Sequence, residues 1–322
     1  MRLIKIVAAV AAVLAASASF AQAFPNKPIR LIIPFAPGGT TDIVARIMAA
    51  KMSPLLGQPV IVENRGGAGG SIGAAEIAKA APDGYTIGMG SVSTMGTNIV
   101  AYKNNKLDPI TQFTHITNLA SVPGIIVVNK NFPQKDYKSL VAELKANPGK
   151  YSYASSGAGG VGHLAMELFL VETGTEAQHI AYKGAGPAVT DVLAGNVPIM
   201  WDNLTSSLAQ IKSGNFIPIG LAFPKRIPQL PNVPTFAELG LKNYEADTWF
   251  GLVGPANLPK DIVKKFYDVA MVVLKDPDTI RKLEDNGAFA VGSTPEQFTE
   301  QIKREVAKWR RVVDAKKISL DL

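Results

Sequence analysis

Short apolar runs rich in β-branched residues alternate along the chain with stretches whose apolar positions recur every three or four residues. Residues 29–35 form such a run and read as a buried strand. Pro37-Gly38-Gly39-Thr40-Thr41 breaks it, and from Asp42 onward Ile43, Val44, Ile47 and Met48 fall at helical spacing. Residues 59–63 predict the next strand, a glycine-rich turn follows, and residues 71–80 predict a helix. Asp83-Gly84 is a turn ahead of a third strand over 85–89. Strand then helix, repeated, predicts a mostly parallel sheet with helices on both faces.

The alternation resumes further on. Strands are expected over 151–154, 178–182, 197–201 and 216–222, a helix over 161–172, and a short helix over 187–194 opened by its proline. Two more apolar stretches, 116–128 and 248–253, lie between the blocks, and beyond Pro259 the chain turns helical with Lys and Glu interleaved. Two α/β blocks joined by two passes of chain predict an α/β fold of two lobes. Residues 24–122 and 248–322 would form one lobe and residues 123–247 the other. The cleft between them is the expected ligand site, faced by the loops that follow the strands.

The first residues have a pattern of their own. Arg2 and Lys5 make a basic start, residues 6–16 are apolar, and Ala21-Gln22-Ala23 fits a small-x-small cleavage pattern. This predicts a signal peptide over residues 1–23, cleaved after Ala23, and a periplasmic mature chain. The alternative is an uncleaved anchor, but the run is short of the ~20 residues that span a bilayer. Without a cysteine beside the cleavage site a lipoprotein is excluded, and the mature chain is expected to be soluble.

Composition narrows the chemistry. The 322 residues include no cysteine, so cysteine-ligated zinc, iron–sulfur clusters and cysteine catalysis are excluded. Charged residues are 18% and apolar ones 47%, which excludes a disordered chain. The formal charge of +7 falls to +5 once residues 1–23 are removed, and the basic residues are scattered except between Lys308 and Lys317. At helical spacing that cluster reads as a solvated face, so no nucleic-acid partner is expected.

Four loops share one character, with glycine and hydroxyls leading into a helix. They are Pro37-Gly38-Gly39-Thr40-Thr41-Asp42, Ser91-Val92-Ser93-Thr94-Met95-Gly96-Thr97-Asn98, Ser155-Ser156-Gly157-Ala158-Gly159-Gly160 and Tyr182-Lys183-Gly184-Ala185-Gly186-Pro187. Glycine lets a ligand approach the backbone, and free N–H groups at a helix start attract an anion. The first three hold no Lys or Arg, so they suit a carboxylate bound through the backbone. Set against this, Gly, Ser and Thr also end strands and cap helices with no ligand involved.

Other motifs point elsewhere. Gly157-Ala158-Gly159-Gly160-Val161-Gly162 fits a dinucleotide loop, but the next strand ends at Tyr182-Lys183 rather than at an acid. Gly69-Gly70-Ser71-Ile72-Gly73 fits a nucleophile elbow, yet seven residues separate its serine from the predicted strand end. His115, His163 and His179 are candidates for a hydrolase base, and no two have metal-ligand spacing on a helix. His163, at the third loop, is expected to bond a loop carbonyl. Asp42 and Arg46, at i, i+4, read as a helix-start pair or as a ligand contact. Asp202 ends a strand among apolar neighbours, where it would accept from a ligand amine or from backbone N–H groups.

Together these segments resemble the Bug family of periplasmic solute-binding proteins, the receptors of tripartite tricarboxylate transporters. The resemblance rests on Pro25-Asn26-Lys27-Pro28-Ile29-Arg30, Pro34-Phe35-Ala36-Pro37-Gly38-Gly39-Thr40-Thr41-Asp42 with Ala45-Arg46, and Val62-Glu63-Asn64-Arg65 with Gly67-Ala68-Gly69-Gly70. It continues through Pro82-Asp83-Gly84-Tyr85, Ser155-Ser156-Gly157 with His163, Tyr182-Lys183-Gly184, Pro231-Asn232-Val233-Pro234-Thr235 and Trp249-Phe250-Gly251. It implies a type II binding-protein fold that closes on a small carboxylate, without catalysis or cofactor, as a monomer, and delivers it to the transporter's membrane subunits. It assigns the ligand to Phe35 and the loop from Pro37 through Gly38, Gly39, Thr40 and Thr41 to Asp42, with Ser91, Ser93 and Thr94. From the other side it assigns Ser155, Ser156, Gly157, Gly160, His163, Lys183 and Asp202. Gln112-Phe113, Leu107 and Trp201 depart from the family pattern and bear on which ligand is held. Alternatives of another class are a ligand sensor for a signalling partner and a Ser/His hydrolase.

Overall fold

The computed structural model describes residues 24–242, 244 and 246–316, so the expected leader and its cleavage site lie outside the described residues. Two sheets organise the chain. The first joins β1 (Ile29–Ile33), β2 (Val60–Asn64), β3 (Thr86–Ser91), β4 (Phe113–Val122), β10 (Thr248–Pro255) and β11 (Phe289–Ala290) in the order β11-β4-β10-β3-β1-β2. The second joins β5 (Gly124–Asn129), β6 (Ser152–Ser155), β7 (Gln178–Ala181), β8 (Ile199–Asn203) and β9 (Phe216–Ala222) in the order β7-β6-β8-β5-β9. The first sheet thus draws strands from both ends of the described chain, the second from its middle.

The helices are α1 (Thr40–Leu56), α2 (Ser71–Ala78), the single turn α3 (Asn98–Ala101), α4 (Tyr137–Ala146), α5 (Val161–Thr173), α6 (Ala185–Ala194), α7 (Leu204–Lys212), α8 (Lys260–Lys275), α9 (Pro277–Asp285) and α10 (Pro295–Lys316). β5 and β10 are buried along their whole length, as strands covered on both faces are.

The expectation of mostly parallel sheets is corrected. β1 pairs parallel with β2 and β3, but β10 runs antiparallel to β3 and β4, and β11 antiparallel to β4. β6 pairs parallel with β7 and β8, whereas β5 runs antiparallel to β8 and β9. Parallel pairing needs a crossover helix, and strands that pass straight between the sheets have none. The apolar stretch over 116–128 is one such pass, divided by Pro123 into β4 and β5, and β10 is the return.

α3, α4, α7 and β11 escaped the sequence pattern, and α6 differs from it at its start. α4 buries only Leu140 and Leu144 and is fixed by Asp136, whose side chain accepts from the Ser139 N–H. α6 starts two residues before its expected proline. Pro187 then sits in the first turn, where N–H groups have no helical partner to lose.

Candidate ligand-binding cleft

Where the lobes face each other, residues of both line one small space. From the first sheet's side come Phe35, Gly39, Thr40, Thr41, Ser91, Val92, Ser93, Thr248 and Phe250, and from the second's Ser156, Val161, Ala185 and Asn203. Four helices begin here. Gly39, Gly160, Gly184 and Asn203 precede α1, α5, α6 and α7, and none of them caps its own helix through a side chain, although Ser93 Oγ accepts the Val161 N–H at the start of α5 and the Pro123 carbonyl accepts the Leu204 N–H at the start of α7. A helix start leaves N–H groups without intrahelical partners and carries the positive end of the helix dipole. The starts of α1 and α6, joined by the dipoles of α5 and α7, make the space attractive to an anion.

The walls offer hydroxyls and short apolar surfaces. No lining residue is Lys, Arg, Asp or Glu. Phe35, Phe250, Val92 and Val161 supply the apolar area, and Thr40, Thr41, Ser91, Ser93, Ser156 and Thr248 the hydroxyls. Several hydroxyls also tie the lobes. Val161 N–H donates to Ser93 Oγ at 3.0 Å, Thr40 Oγ1 lies 3.2 Å from Ser206 Oγ, and Thr248 Oγ1 donates to Asn203 Oδ1 at 2.9 Å.

Around the space runs a close seam. Ala36 N–H donates to the Lys183 carbonyl at 3.0 Å, and the Tyr102 hydroxyl to the Ala158 carbonyl at 2.9 Å. Glycines make the approach possible. A Cβ on Gly186 would stand 2.2 Å from the Pro37 carbonyl oxygen, and one on Gly69 2.3 Å from that of Ala158. The arrangement is that of a closed cleft.

Of the residues expected at the ligand, Phe35, Gly39, Thr40, Thr41, Ser91, Ser93 and Ser156 line the space together. The others stand behind it. Asp42 accepts from Gly38 N–H at 3.0 Å, from Arg46 and from Asn64 Nδ2 at 2.9 Å. Burial pushes its carboxyl up, but the bonds from Arg46, Gly38 and Asn64 outweigh burial and hold it below the usual carboxylate value. It fixes the Pro37-Gly38 turn ahead of α1. Thr94 accepts the Ser91 N–H at 3.0 Å and shapes the second loop. Gly157 packs against Gly69, Gly160 precedes α5, and Lys183 meets the first lobe through its carbonyl.

Asp202 also turns away from the space. Ser206 Oγ at 2.6 Å, Ser207 Oγ and the Asn203 N–H at 2.8 Å all donate to it. Burial pushes its pKa up to about 6 despite those three donors. His163 does not bond a loop carbonyl as expected. Its Nδ1 accepts from the Gly159 N–H at 3.1 Å.

Val92, Val161, Ala185, Asn203, Thr248 and Phe250 line the space without having been singled out as ligand residues. Val161 and Ala185 were legible in principle, as the first helical residues after two glycine loops. Thr248 and Phe250 were not, because β10 reaches the site only through its antiparallel insertion.

The elbow serine, Ser71, opens α2, where Asn98 Nδ2 donates to its hydroxyl at 3.1 Å. His115 is engaged elsewhere, with Thr299 and the Pro109 carbonyl. Among the described residues no cluster of three His, Asp or Glu stands ready for a metal, and no helix is long and apolar enough to cross a membrane.

Two lobes that enclose a polar, uncharged space between helix starts define a solute-binding protein. The model of the tripartite tricarboxylate transporter receptor family matches residues 44–318, and the chain belongs to that family of solute-binding receptors. It is 34% identical to Protein BugT of Bordetella pertussis over 294 residues, covering 91% of this chain and 90% of that protein. A solved periplasmic transporter is 47% identical, with a TM-score of 0.91 over 93% of this chain and all of that one. Rpa4515 of R. palustris, solved with adipate, is 33% identical, with a TM-score of 0.89 over 92% of this chain and 99% of that one.

Proposed function

We propose that this receptor captures a small organic dicarboxylate without an amino group and presents it, lobes closed, to the membrane subunits of a tripartite transporter. The observation that carries the reading is the convergence of four helix starts on one space with no charged lining residue. One carboxylate would meet the start of α1 with Thr40, Thr41 and the Ser91–Ser93 loop. The other would meet Ser156 and the starts of α5 and α6. Desolvation on closure strengthens such bonds. A desolvated ammonium is held best by an anionic partner, and both candidate acids are engaged inside their own lobes. The adipate of the R. palustris relative supports a dicarboxylate.

Residues 24–122 with 248–322, and residues 123–247, would move as the two bodies, hinged where the chain passes between sheets. The protein would act as a monomer after export and removal of residues 1–23. Native mass spectrometry of the protein purified from its producing cells tests the reading. It should reveal a bound dicarboxylate, while a co-purified amino acid or nucleotide would refute it.

A further inference from the structure

Behind the second lobe's wall of the cleft, two histidines stack. The rings of His163, on α5, and His179, on β7, have centroids 3.7 Å apart and an interplanar angle of 18°. Tyr153 of β6 flanks the pair, 5.0 Å from His179 and 6.5 Å from His163. Each imidazole holds one part of the loop between β6 and α5. His163 Nδ1 accepts the Gly159 N–H at 3.1 Å, and His179 Nε2 lies 2.6 Å from Ser155 Oγ, which accepts the Gly157 N–H at 3.2 Å. The same loop places Ser156 on the enclosed space, offers the Ala158 carbonyl to Tyr102, and leads to the Val161 N–H that Ser93 accepts.

We infer that the stacked His163–His179 pair is a positioning device for the ligand site: its neutral rings clamp residues 155–160 in the gripping geometry, and protonation of His163 releases them. The inference rests on the cleft being where ligand is held. A protonated His163 carries N–H on both nitrogens and loses its acceptor for Gly159. Two stacked rings also resist a second positive charge.

The groups that face the pair favour the neutral state. Tyr153 stands against the His179 ring, and its hydroxyl bonds Glu167 Oε1 at 2.6 Å, so that carboxylate is already engaged. Burial pushes the Glu167 carboxyl up, toward its neutral form. From the first lobe the approach is that of the uncharged Tyr102 hydroxyl. Burial lowers His163 to about 4, and burial together with the neighbouring ring lowers His179 to about 3. Once the loop is released the rings return toward the ordinary ~6.5. The released state therefore binds more protons, and the grip weakens as pH falls from ~6.5 toward about 4 while staying whole above that window.

A serine hydroxyl beside an imidazole is also how a nucleophile is activated. Ser155 is fully buried and its hydroxyl serves the loop backbone, so no substrate reaches it.

The test uses the mature protein with His163→Asn and His163→Phe. Asparagine keeps an acceptor that does not titrate, and phenylalanine keeps a ring without an acceptor. Amide-exchange protection of residues 157–160 is measured at about pH 7 and about pH 5, and adipate serves as the ligand probe in calorimetry. Wild-type protection should fall by about tenfold at the lower pH, His163→Asn should reduce that dependence to the part His179 contributes, and His163→Phe should be unprotected at both. Adipate affinity should follow the same three patterns. If adipate fails to bind while exchange behaves as described, the clamp stands and the choice of ligand falls. Wild-type protection in His163→Phe at both pH values would overturn the clamp.

Discussion

Asp202 ends its strand with the carboxylate turned into its own lobe, where Ser206, Ser207 and the Asn203 N–H hold it. The sequence left two partners open for this group, a ligand amine or backbone N–H groups. The choice depends on which way the side chain leaves β8, and that is set by pairing with β5, not by neighbours in sequence. The two serines one turn into α7 were the readable hint. Burial raises this carboxyl to about 6, so the folded state holds a proton that the unfolded state gives up near the ordinary ~3.9. Folding stability from this group is present below that window and is lost as pH rises from ~3.9 to about 6. Asp202→Asn should flatten that slope and leave the protein about 1–3 kcal/mol more stable near neutral pH relative to that slope, as read by melting curves across pH. An unchanged slope would place the titration elsewhere.

Among the elements, the helices carry both the site and the seam. Their starts were legible, because glycine followed by small polar residues and then helical spacing marks Gly39, Gly160 and Gly184. The sheets were less legible. Strand–helix alternation reports helices between strands, but not that β10 inserts between β3 and β4 against their direction. The seam was illegible, since only the folded pair of lobes shows that Gly186 faces Pro37. Gly186 lies in the first turn of α6, where alanine is the better helix former by up to about 1 kcal/mol. Its Cβ would meet nothing closer in its own lobe than the 2.2 Å contact with the Pro37 carbonyl across the seam. Gly186→Ala should therefore keep or raise the melting temperature of the free protein and weaken ligand binding by about tenfold or more. Small-angle scattering should show that it stays extended at ligand concentrations that compact the wild type. Full compaction of the variant would mean that the lobes do not close along this seam.

For the whole molecule, two sheets bring helix starts to one enclosed space, and the family match sets that space in a solute-binding receptor. The two-lobed α/β plan was readable from the order of elements, and the hydroxyl and glycine loops were readable as neighbours on one space. Ligand chemistry was not, because it turns on where Asp42 and Asp202 point. The central claim is that the cleft binds a carboxylate through helix starts and hydroxyls and has no place for an ammonium. Calorimetric titration of the wild-type protein with unaminated dicarboxylates, including adipate, and with aspartate and glutamate tests it most directly. Saturable one-to-one binding of a dicarboxylate with no heat from either amino acid is the result the account predicts. Tight binding of aspartate or glutamate, with none of the unaminated acids, would contradict it.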